Sequence, residues 1–280
     1  MEVITYCLGE NMEYKVCVGT DKGTVKAVNQ DAVMVKVAGT TQYGKVLLAV
    51  LCDGMGGLSQ GEVASSDLVA AFAEWFRKDL PAALTGQNKT EKLDGTADGN
   101  VIEEVQYQWT ELVNDANKRL GAYGRGHGGK LGTTVVAILF VGNEYVAINV
   151  GDSRIYTIKD KERTQITHDQ SVVQNMIDKG LMTPEEAEES PQRSVLLQCV
   201  GASEVVTPQF VCGKIEEGTS TILCSDGFWR KLSQEEMTEG FAADADTAEE
   251  DMQKNLDKLL ELVKEKGEKD NISAIQIYVY

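Results

Sequence analysis

Histidine is almost missing from this 280-residue sequence: there are two, His127 and His168, both in polar stretches. With so few imidazoles, and with six cysteines in no paired ligand spacing, a zinc site of nitrogen and sulfur donors is not expected. Cys7, Cys17, Cys52, Cys199, Cys212 and Cys224 mostly sit inside apolar runs and read as small hydrophobes in a reducing compartment. Basic residues are outnumbered, 27 Lys and Arg against 44 Asp and Glu, a net charge of -17. Such a surface argues against nucleic acid and anionic membranes as partners, and it repels phosphate unless a metal ion or a few placed bases supply local positive charge. No apolar run approaches the ~20 residues needed to cross a bilayer. The start, MEVITYCLGE, lacks the basic and apolar stretches of a signal peptide, so a cytoplasmic protein is expected. Neither an internal repeat nor a flexible interdomain linker is evident, which predicts one domain over residues 1–280.

What is present is enough apolar residue, 42%, for a sizeable core. YKVCVG (14–19), AVMVKVA (32–38) and KVLLAVLC (45–52) read as strands, the last as a buried central one. Helical spacing over 62–80, ending near Pro81, and over 101–122 predicts two long helices joined by a turn-rich loop at 85–100. Strands at 133–141, 144–150 and 154–159 follow, linked by GN and GDS as tight hairpins. Thr183-Pro184-Glu185 signals a helix start. Two more strands (205–212 and 219–225), a charged helix (245–266) and a closing strand, ISAIQIYVY, complete the chain. Hairpins outnumber regular strand–helix alternation. The expected class is α+β: a β-sandwich of two mostly antiparallel sheets flanked by helices on both outer faces.

The stretch STILCSDGFWRK (220–231) admits two chemistries. Cys224 and Arg230, spaced around Gly227, could form a thiolate loop that attacks phosphorus. Alternatively Asp226, at the end of an apolar run, could present a carboxylate to a metal. Asp31, Asp53, Asp152 and Asp270 also sit where apolar runs meet turns. Each alone is ordinary turn chemistry. Converging at one end of a sandwich they would repel unless a cation neutralised them, and an all-oxygen set selects Mg²⁺ or Mn²⁺.

Segments in order along nearly the whole chain resemble the metal-dependent protein phosphatases, the type 2C serine/threonine phosphatases, in their compact bacterial form. They are TDKGTVKAVNQDAV (20–33), DGMGGLSQGEVAS (53–65), GTTVVAIL (132–139), NVGDSRIY (149–156), PQRSVLLQCVG (191–201), LCSDGFW (223–229) and KDNISAIQI (269–277). The resemblance implies hydrolysis of phosphoserine and phosphothreonine in proteins by a hydroxide bridging two Mn²⁺ or Mg²⁺ ions. It assigns Asp53 as the bridging ligand and the Gly54 carbonyl and Asp31 to one ion. Asp226 and Asp270 fall to the other ion, and Asp152 with Asp226 to a third, weaker one. Asn271 would fix the turn after Asp270. Met55 stands where animal members carry a histidine, as is usual in the bacterial form. Lys26 takes the place of the family's substrate-phosphate arginine, offering charge without a bidentate grip. In THDQS (167–171) Gln170 replaces a histidine, within a variable flap at about 165–203. The implied partners are phosphoprotein substrates of a serine/threonine kinase of the same cell, with a monomer as the default. Against the thiolate reading, Asp226 lies two residues from Cys224, Leu223 stands where cysteine phosphatases have histidine, and Cys224 is expected to point into the core, leaving Arg230 a surface or helix-start residue. The alternative of an inactive binding module is disfavoured by the intact set Asp31, Asp53, Asp226 and Asp270.

Overall fold

The computed structural model describes residues 12–56, 60–86 and 101–280. The first strands are β1 (Tyr14–Asp21), β2 (Asp31–Thr40) and β3 (Gly44–Gly56), followed by helices α1 (Gly61–Lys78), α2 (Leu80–Thr85) and α3 (Val101–Gly126). Next come β4 (Leu131–Thr133), β5 (Val135–Val141), β6 (Glu144–Val150), β7 (Arg154–Lys159) and β8 (Glu162–Gln165). The remainder is α4 (Val172–Asp178), α5 (Pro184–Glu189), β9 (Gln209–Lys214), β10 (Ser220–Cys224), α6 (Asp226–Trp229), α7 (Gln234–Gly240), α8 (Glu249–Glu265) and β11 (Ile272–Val279). One sheet has the order β1-β11-β10-β7-β8 and the other β2-β3-β5-β6-β9, with β4 also on β3. The strand pairings are antiparallel.

Strand β3 shows why these runs are continuously apolar: Val46 through Cys52 are all 0% exposed. Successive side chains of a strand point to opposite faces. Val46, Leu48, Val50 and Cys52 therefore meet Leu68 and Phe72 of α1 and Trp109 of α3. Leu47, Ala49 and Leu51 meet Ile275 and Ile277 of the facing sheet instead. A third core packs Met252, Leu256 and Val263 of α8 against Ile272 and Ala274 of β11. The layers run helix, sheet, sheet, helix, as the α+β sandwich expectation has it.

Two local expectations are corrected. The helix expected over 62–80 closes at Lys78, and Pro81 opens α2 from its first turn, where a missing N–H costs nothing. The GN pair does make a hairpin, with Val141 opposite Glu144 and Gly142 at φ 59°. GDS does not: β6 lies in one sheet and β7 in the other, so residues 151–153 cross between sheets. Gly151 makes that crossing at φ 109°, with Thr134 so close that a Cβ would lie 2.6 Å from its Cγ2. The expected strand at 205–212 begins only at Gln209. Most of the 85–100 loop, and the N-terminal stretch with Cys7, lie outside the described residues.

Candidate active site

The ends of both sheets meet around the acidic residues. Asp31 opens β2 directly opposite Asp53 near the end of β3, so the two carboxyl groups share a face. The Asp53 backbone is fixed: its N–H donates to Thr134 Oγ1 at 3.1 Å, and its carbonyl accepts from Thr134 N at 2.9 Å and Thr133 Oγ1 at 3.0 Å. Gly54 donates to the Gln30 carbonyl at 3.1 Å. A Cβ at Gly54 would sit 2.2 Å from the Gly61 carbonyl oxygen, so glycine is what lets α1 start against this strand.

The second sheet contributes Asp226, the first residue of α6, and Asp270, just before β11. Ser225 N donates to Ser273 O and Ser273 N to Ser225 Oγ, each at 3.0 Å, which locks the two segments together. Asn271, 3% exposed, accepts from Gln30 N at 2.9 Å and donates to Lys22 O and Val28 O at 3.0 and 3.1 Å. It thereby ties the 22–30 loop to the start of β11. Asp152, 4% exposed, comes from the intersheet crossing.

The electrostatics are severe. Burial, reinforced by Asp31, Asp226, Asp152 and Asp270, raises the Asp53 carboxyl well above its usual range. Burial pushes Asp31 up to about 7, against the nearby Ser273 and Ser225 hydroxyls and with the charges of Asp226 and Asp270. Burial likewise lifts Asp152 to about 8, Asp226 adding to the rise and Arg230 opposing it. Asp226 is raised by burial, with Arg230 opposing, Asp270 adding, and a hydrogen bond from Asp53 opposing. Lys26 Nζ lies 2.8 Å from Asp270 Oδ1. Burial pulls the Lys26 ammonium down, but Asp270, Asp53 and Asp226 outweigh it and hold it above the ordinary lysine value.

Among the described residues no three His, Cys, Asp or Glu side chains close into a ready-made metal cage. The donor set nevertheless fits a hard divalent ion. Both Asp31 carboxylate oxygens are buried without a hydrogen-bond partner among the described residues. The Ser273 and Ser225 hydroxyls lie near enough to oppose the rise in the Asp31 pKa but make no hydrogen bond to it, Ser273 Oγ pairing with Thr20 Oγ1 and Ser225 Oγ accepting from Ser273 N. An orphaned buried carboxylate facing further carboxylates costs several kcal/mol unless a cation is taken up.

Cys224 is buried and its Sγ faces the Arg154 carbonyl at 3.9 Å; burial pushes the thiol far above the range of a reactive cysteine. Arg230 corrects the sequence expectation of a surface or helix-start residue: it caps the C-terminal end of α6. Its side chain is 19% exposed and pairs with Asp226 Oδ2 at 2.8 Å and Asp152 Oδ2 at 3.0 Å. The four-residue step from Asp226 to Arg230 across a short helix was the available signal. Gln170, in the histidine position, holds Gly151 through both its backbone N–H (2.8 Å to the carbonyl) and its Oε1 (3.0 Å from the amide).

Residues 18–261 match the family model described as protein phosphatase 2C. The serine/threonine protein phosphatase PstP of Mycobacterium tuberculosis is 34% identical over 91% of this chain, which spans 43% of that protein's length. Protein phosphatase PhpP of Streptococcus pneumoniae is 30% identical over 91% of this chain and 93% of its own. The solved catalytic domain of PstP in complex with two manganese ions superimposes with a TM-score of 0.72 at 28% identity, covering 96% of this chain and 99% of that one.

Proposed function

The chain belongs to the protein phosphatase 2C family, and on that footing we propose that it is a metal-dependent phosphatase of phosphoserine and phosphothreonine in proteins. The observation that carries this reading is the orphaned, buried Asp31 carboxylate opposite Asp53. Asp53, Asp31 and the Gly54 carbonyl would hold one Mn²⁺ or Mg²⁺, and Asp226 and Asp270 with Asp53 the other. When bound, such ions lower the pKa of water and neutralise charge developing on phosphoryl oxygens. Lys26 offers its ammonium to a substrate phosphoryl group at the rim beside Asp270. Thr133 and Thr134 keep the Asp53 backbone from shifting as charge redistributes. Phosphoproteins made by a serine/threonine kinase of the same cell are the proposed substrates, the cytoplasm the proposed setting and a monomer the proposed state. Among the described residues no helix is long and apolar enough to cross a membrane.

Hydrolysis of a phosphothreonine peptide with and without Mn²⁺ tests the reading. EDTA should abolish turnover and Asp53→Asn should cost at least ~100-fold, the scale of losing an electrostatic catalytic group. Cys224→Ser should stay within a few-fold of wild type. Full turnover in EDTA, or an unimpaired Asp53→Asn enzyme, would reject it.

A further inference from the structure

Arg230 has no part in the phosphatase reading, yet its guanidinium is spread over both sides of a boundary. On one side it meets Asp226 Oδ2 at 2.8 Å and Asp152 Oδ2 at 3.0 Å. On the other it donates to Ser194 Oγ at 2.9 Å and the Arg193 carbonyl at 3.2 Å. The neighbouring Trp229 is pinned, its Nε1 donating to the Asp152 carbonyl at 3.1 Å and its ring carrying the Arg154 guanidinium 3.3 Å from its centroid. Arg154 in turn forks onto Asp169 at 2.8 and 2.9 Å. The Arg230 pose is therefore built, with a fixed aromatic beside it, hydrogen bonds to Asp152, Ser194 and the Arg193 carbonyl, and an ion pair with Asp226.

The carboxyl groups of Asp152 and Asp226 are 6% and 13% exposed. Both carboxyl groups lie against the same guanidinium, which is at once held to the Ser194 hydroxyl and the Arg193 carbonyl. A hydrated divalent ion could bridge the pair, and so can a guanidinium, whose planar fork also reaches a carbonyl and a hydroxyl in fixed directions. We infer that Arg230 is the resident cation of the Asp152–Asp226 pair and the tether of the 193–197 segment, so that in this chain Asp152 is committed to an arginine rather than to a divalent ion. Arg230 is a positioning residue: it acts through Asp226, and the 193–197 segment is coupled to that carboxylate. The segment is also held by Arg193 N to Ser190 O at 3.1 Å and Val195 N to Gln192 O at 2.9 Å within its own turn, and by Leu197 N to Gln170 O and Val172 N to Val195 O, each 2.8 Å, so Arg230 is its link to the Asp152–Asp226 pair. The inference rests on the phosphatase reading for the role of Asp226.

The experiment counts Mn²⁺ bound to the metal-stripped full chain by calorimetry and follows hydrogen exchange at the Val195 and Leu197 amides. Arg230→Gln should bind one Mn²⁺ more than wild type, because the vacated carboxylate pair recruits an oxygen-seeking ion. Adding Asp152→Asn to that variant should remove the extra ion. Exchange at Val195 and Leu197 should quicken about tenfold or more as local opening becomes easier. Ser194→Ala, which leaves the carboxylates alone, should quicken exchange with the ion count unchanged. An Arg230→Gln chain with wild-type ion count and wild-type exchange overturns the inference while leaving the phosphatase reading intact. So does loss of the extra ion from wild type itself on Asp152→Asn, since wild type should have none there. A wild-type chain that takes up no Mn²⁺ and hydrolyses no phosphopeptide overturns the phosphatase reading, and the metal half of this inference with it.

Discussion

Lys26 illustrates how much one residue choice can set at the rim of a charged site. Its ammonium is 2.8 Å from Asp270 Oδ1, with the two side chains 40% and 43% exposed, so the pair is wet and weakly worth keeping. An ammonium is a point charge on a flexible stem, able to swing from Asp270 to an incoming phosphoryl oxygen but not to grip it with two parallel bonds. Lys26→Ala should raise KM for a phosphothreonine peptide with little change in kcat, because the contact is made in ground and transition states alike. Lys26→Arg should lower KM several-fold, since one more hydrogen bond is worth about 1 kcal/mol net. Neither change should weaken Mn²⁺ binding, and Lys26→Ala removes a competitor from Asp270. Steady-state kinetics at saturating Mn²⁺ decide: if Lys26→Ala leaves KM and kcat alone, Lys26 is a surface residue.

At the scale of elements, the site depends on where strands stop and helices start. Gly54 lets the first residue of α1 approach β3 so closely that a Cβ would be 2.2 Å from Gly61 O and 2.5 Å from Gln30 O. Gly54→Ala should therefore destabilise the fold by about 1–3 kcal/mol, the usual cost of overpacking, and displace the Asp53 carbonyl from Thr134. Gly39→Ala in β2, where a Cβ meets nothing within 4 Å, is the matched control and should shift the urea midpoint little. Equal midpoints for the two variants would dismiss the close approach as a constraint. Which elements could be read beforehand follows the same logic. The run KVLLAVLC announced a strand buried on both faces because its two residue sets feed two cores. GDS did not announce a crossing, because Gly-Asp at a strand end looks the same whether the next strand returns to its own sheet or joins another. Only the pairing of β7 with the distant β10 decides that. The strand-end positions of the acidic residues could be read beforehand, and the Asp226–Arg230 step too, but the contacts of Arg230 with Ser194 and Asp152 could not, since tertiary packing alone brings these together.

At the scale of the whole molecule, the acidic cluster works against the sandwich that holds it. Asp31 and Asp53 belong to one sheet, Asp226 and Asp270 to the ends of the other, so their repulsion acts across the interface between the sheets. In the metal-free protein the consequence is a definite pH dependence. Burial holds the folded Asp31 carboxyl at about 7, whereas the same group in the unfolded chain titrates near the ordinary carboxylate value of about 4. Between those limits the folded state binds more protons than the unfolded one, so stability falls as pH rises from about 4 toward 7. The group costs about 1.4 kcal/mol per pH unit inside its window, and each kcal/mol moves Tm by about 2–4 °C in a chain of this size. Metal-stripped protein should thus melt several degrees lower at pH 8 than at pH 5.5, and Asp31→Asn should flatten the slope. On the proposed ligand set Mn²⁺ would compete with the Asp31 proton for the same oxygens, so its stabilisation should be larger at pH 8 than at pH 5.5. Thermal melts at the two pH values, with EDTA and with Mn²⁺, measure both effects. A metal-free Tm that rises toward pH 8, or an Mn²⁺ shift independent of pH, would mean that the carboxylates are not the groups that bind the ion.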